Sequence, residues 1–99
     1  MSDLPKHFEW RPGMLTTDNI RITGHDPGCV LDVLGWRPHP TDPATLGALL
    51  GLVRERHGEE THTRPQVRGW CVLAIVGGFW MEVAVGDTEF AALMAALEE

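Results

Sequence analysis

Tyrosine is absent from the 99 residues, lysine occurs once at Lys6, and cysteine occurs only at Cys29 and Cys71. Two cysteines are too few for the cross-linked framework of a small secreted scaffold, which rests on several bridges. Basic residues are scarce as well. Eight Lys plus Arg against fourteen Asp plus Glu leave a net charge of −6, the wrong sign for gripping a phosphate backbone, so nucleic acid is not expected as a partner. The first ten residues hold Asp3, Lys6, His7 and Glu9 where a secretory leader would place an apolar run, so the chain reads as cytoplasmic. The longest uncharged stretch, Trp70 to Met81, is about 12 residues, short of the ~20 that a membrane-crossing helix requires, and no membrane partner is expected.

What is present suits a folded chain. The 43% apolar and 22% charged composition excludes a disordered segment. The length fits one domain over 1–99, because two halves would each bury too little surface.

A weak internal repeat organises the chain. Gly28 is followed by Cys29, Val30, Leu31, Asp32, Val33 and Leu34, and Gly78 by Phe79, Trp80, Met81, Glu82, Val83 and Ala84. Both runs leave a glycine turn, alternate with period two and carry a carboxylate at the fourth position, which predicts two half-buried strands. A strand candidate precedes each turn, Asn19 to Thr23 and Trp70 to Val76. A capped helix follows each run. Asp42 with Pro43 opens the first, and Asp87 with Glu89 the second. The stripes Leu46, Leu49, Leu50, Val53 and Phe90, Leu93, Met94, Leu97 share helical spacing. The expectation is therefore an α+β fold: a ββαββα pseudo-repeat whose four-stranded antiparallel sheet carries both helices on one face. Residues 1–13 form an arm with a possible edge strand at Phe8 to Trp10. Residues 14–57 and 67–99 are the two ββα halves, and His57 to Gln66 is the loop between them.

Opposite residues across a two-residue hairpin share a face. With Gly77 and Gly78 as the turn, Trp70, Val72, Ala74, Val76, Phe79, Met81, Val83 and Val85 fall under the helices. Cys71, Leu73, Ile75, Trp80, Glu82 and Ala84 fall on the open face, joined through the repeat by Val30, Asp32, Leu34 and Trp36. An open sheet face should be polar. This one holds mainly aliphatic side chains and two tryptophans, the signature of an interface unless the arm's Phe8, Trp10, Met14 and Leu15 cover it.

Spacings that would carry chemistry are missing. His25, Asp26 and Cys29 cluster in one turn, and His57, Glu59, Glu60 and His62 in the interhalf loop, but neither group has a zinc-binding spacing. His57-Gly58-Glu59 resembles half of a nucleobase-deaminase signature without the Pro-Cys-x-x-Cys that completes it. Cys29 as a nucleophile with His25 as its base would need an electropositive pocket, whereas Asp26 and Asp32 stand nearby. Gly77 and Gly78 lack the residues of a phosphate loop. No cofactor and no metal is assigned. The reading is a non-enzymatic protein-binding module of the inhibitor, immunity, chaperone or assembly-accessory kind. Its contact residues would be Val30, Asp32, Leu34, Trp36, Leu73, Ile75, Trp80 and Glu82. One alternative is a homodimer paired through the same face, and another is a small metal-binding protein or enzyme built on His25, His57 and His62.

Overall fold

The computed structural model describes residues 4–22 and 37–98. Helix α1 (Pro43–His57) is followed by strands β1 (His62–Gln66), β2 (Gly69–Val76) and β3 (Phe79–Gly86) and by helix α2 (Glu89–Ala96). The strands form an antiparallel sheet in the order β1-β2-β3. The α+β class is as expected from the sequence; a fourth strand and the ββαββα repeat do not occur among the described residues. The anticipated strand Cys29 to Leu34 lies outside them.

Two expectations are corrected by local chemistry. Asn19 to Thr23 does not continue as a strand over its described part, because Thr16, Asp18 and Asn19 favour a turn. Asn19 sits at φ 65°, the Thr16 hydroxyl accepts from Ile20 N at 3.0 Å, and an isolated bridge joins Leu15 to Arg21. The interhalf loop is shorter than His57 to Gln66, since His62–Gln66 is strand β1, paired to β2 from His62 opposite Leu73 to Gln66 opposite Gly69. Pro65 in that segment masks the strand pattern, and an edge position tolerates it.

Helix α1 begins as its sequence dictates. Asp42 is the N-cap, its carboxylate accepting from Thr45 N at 2.9 Å, and Pro43 opens the first turn. Arg21 donates to the same carboxylate at 2.9 Å, and Leu15 N donates to the Thr45 hydroxyl at 2.8 Å, tying the N-terminal segment to the helix start. Thr45, Leu49, Leu52 and Val53 are its buried residues. Helix α2 is capped by Thr88, which accepts from Ala91 N, and not by Asp87.

Helix α2 rests on all three strands, while α1 packs on α2 and reaches the sheet at β1. Their shared core holds Leu49, Leu52, Val53, Val72, Ala92, Leu93, Ala96 and Leu97 together with Trp10, Met14 and Ile22 from the N-terminal segment. Phe8 meets Trp10 edge to face at 5.1 Å, and His7 N donates to Leu97 O at 2.9 Å. The N-terminal segment is therefore neither an edge strand nor a loose arm over its described part. It closes the helical side of the fold. No helix among the described residues is long and apolar enough to cross a membrane.

Candidate functional site

The β2–β3 hairpin turns at Gly77 and Gly78, with φ of 61° and 87°. Two consecutive left-handed residues make the turn that matches the twist of paired strands, and glycine adopts it without a Cβ penalty. From there Val76 pairs with Phe79, Ile75 with Trp80, Ala74 with Met81 and Leu73 with Glu82. The ladder then shifts at Val83, so that Val72 faces Ala84, Cys71 faces Val85 and Trp70 faces Gly86. A bulge adds one residue and exchanges the faces beyond it. Ala84 accordingly lies on the helix side and Val85 on the open side, the reverse of the strict alternation read from the sequence.

Leu73, Ile75, Trp80 and Glu82 share the open face, as their spacing implied. Val30, Asp32, Leu34 and Trp36 lie outside the described residues. Strand β1 adds His62, Arg64 and Gln66 to this face. The His62 ring stands edge-on to Trp80 with centroids 5.0 Å apart, and Gln66 donates to the Glu82 carboxylate at 2.8 Å. Cys71 is free and buried in the same layer. Burial pushes its thiol pKa up, the Glu82 carboxylate adds to the rise, and Arg64 opposes it.

The helix side of the hairpin differs from the sequence reading. Val76, Phe79 and Met81 were expected beneath the helices, yet Phe79 is 77% and Met81 50% exposed. The cause is length. Eight helical residues rise ~12 Å, whereas eight extended residues run ~27 Å, so α2 covers the Val72, Ala84 and Gly86 end and leaves the turn end bare. Trp80 at 52% and Val85 at 54% expose the opposite face. Apolar side chains therefore project from both faces of one hairpin. Comparing the two element lengths could have revealed the Val76, Phe79 and Met81 half from the sequence.

The loop histidines do not converge. His57 Nε2 lies 2.9 Å from Ala96 O, joining the C-terminal ends of the two helices, and His62 Nδ1 lies 3.3 Å from Glu60 O. An open depression of about 310 Å³ is lined by His57, Gly58, Glu59, Glu60, Thr61 and Ile75. Among the described residues no three His, Cys, Asp or Glu side chains are grouped to hold a metal; His25 and Cys29 lie outside them.

No protein family, curated protein or solved structure matches the chain.

Proposed function

We propose that the protein is a non-enzymatic binding module, of the inhibitor, immunity, chaperone or assembly-accessory kind, that takes hold of another protein through the outer half of its β2–β3 hairpin. The observation that carries this reading is the exposure of Phe79, Trp80, Met81 and Val85 on a strand otherwise well ordered by its pairing to β2. Large apolar surface costs free energy in water, roughly 25 cal/mol for each Å² left exposed. Such residues gathered on the two faces of one hairpin end are the mark of an interaction surface. Aromatic side chains at its centre suit the role, since they supply much contact area for little side-chain entropy. Leu73, Ile75, Trp80 and Glu82 are the assigned contacts, extended by Val76, Phe79, Met81 and Val85. Val30, Asp32, Leu34 and Trp36 belong to the proposal through the sequence pattern alone.

The test is Trp80→Arg, examined by sedimentation and by thermal melting. The reading expects association to be lost while the melt stays cooperative. A variant that loses its cooperative transition would make Trp80 part of the core and end the proposal.

A further inference from the structure

Exposure on both faces of one hairpin is not what a flat docking partner would cover. A strand laid along the edge of β3 that is unpaired among the described residues would cover it, since its side chains fall alternately on the two faces. The two edges of the sheet are unlike. Strand β1 carries Pro65 and Arg64, with Arg68 in the turn that follows, the devices that keep another strand away. Strand β3 has no proline and no basic residue, its one charge, Glu82, is held by Gln66 of its own chain, and among the described residues it pairs only with β2.

Resting on the binding reading above, we infer that the occupant of this edge is a second copy of the chain, with β3 pairing antiparallel to the partner's β3. One register satisfies the faces on both sides of the bulge. Beside β2, Trp80 and Val85 are on the open face while Phe79, Met81, Ala84 and Gly86 are on the helix side. Opposite residues in an antiparallel pair must share a face. Setting Trp80 against the partner's Val85 achieves this, and it places Met81 against the partner's Ala84 and Phe79 against the partner's Gly86. Each large side chain meets a small one. The bulge itself, with Glu82 on the open side and Val83 against the core, falls at the centre of the pairing, where the ladder is interrupted. Without the bulge, positions 80 and 85 would lie on opposite faces and this pairing would fail. The exposed parts of Phe79, Trp80, Met81 and Val85 on β3 itself come to on the order of 450 Å² of side chain, over half of the ~800 Å² per partner of a standard interface, and the paired backbone adds to it.

Light scattering over a dilution series of the full chain tests this. A mass of twice the chain at micromolar concentration is expected, with about a hundredfold rise in the dimer dissociation constant for Val85→Lys and none for Val67→Lys, a fully exposed site off this edge. Should Val85→Lys fail to fold, the register is read from M81C/A84C. These positions lie too far apart along one strand to bridge within a chain, and mild oxidation should join two copies. A dimer that survives Val85→Lys in folded form, or that M81C/A84C does not cross-link, overturns the pairing. A monomeric wild type whose outward β3 amides, those not bonded to β2, exchange freely overturns the second copy but leaves the hairpin open to another protein. A monomer in which those outward amides are also protected overturns both readings.

Discussion

Gly86 lies against Ala91 so closely that a Cβ built on the glycine would stand 2.7 Å from the Ala91 Cβ. The contact sits where β3 ends and α2 folds back, so it fixes the helix over one end of the sheet and leaves the hairpin turn uncovered. Gly86→Ala should destabilise the fold by about 1 to 3 kcal/mol, the usual range for overpacking. Gly47 offers the opposite case: it lies inside α1 with open space around it. Gly47→Ala should stabilise by about 0.8 to 1 kcal/mol through helix propensity alone. Urea denaturation of the two variants reads both signs, and a neutral Gly86→Ala would contradict the close seat of α2.

Asp42 gives the fold a dependence on acid. Hydrogen bonding from Arg21, then from Thr45, holds its carboxyl below the usual carboxylate range. A folded-state pKa lowered beneath the unfolded one, ~3.9 for Asp, contributes stability that is complete above that value and is lost as pH falls through the folded value. The melting temperature should therefore drop on acidification below about pH 4, and Asp42→Asn should flatten that part of the profile. An unchanged profile in Asp42→Asn would remove Asp42 from the account.

Cys71 should be inert while the protein is folded. The residue is 2% exposed and its thiol pKa is raised, chiefly by burial, so little thiolate is available at neutral pH. Peptide mapping after iodoacetamide treatment should find Cys71 unmodified in buffer and fully modified in denaturant. Rapid labelling in buffer would show that the layer in which Cys71 is buried opens readily.

Much of the second half was legible in its residues. The Gly77-Gly78 turn, the pairing of Trp70–Val76 with the following strand and the grouping of Leu73, Ile75, Trp80 and Glu82 all follow from period-two alternation around a tight turn. Asp42 and Pro43 likewise announced α1. Other features depended on tertiary context. Alternation carries no trace of a bulge, so Ala84 and Val85 exchanged faces at Val83. Pro65 and the polar residues around it concealed β1, which persists because β2 supplies its hydrogen-bond partners. Thr88 took the cap from Asp87, since either side chain can accept from the first helical turn and only the chain's approach to α2 selects one. Trp10 carried no periodic signal and was placed in the core by α1 and α2 together.

Hydroxyl-radical footprinting of the dilute and the concentrated protein tests the central claim most directly, because it reports Trp80 and Trp10 side by side in the same chain. Trp10 is 7% exposed and Trp80 52%. The account predicts rapid oxidation of Trp80 at nanomolar concentration, protection of Trp10 throughout, and growing protection of Trp80 as the protein associates. Equal protection of Trp80 and Trp10 in the dilute protein would contradict it, because the hairpin would then be covered within a single chain.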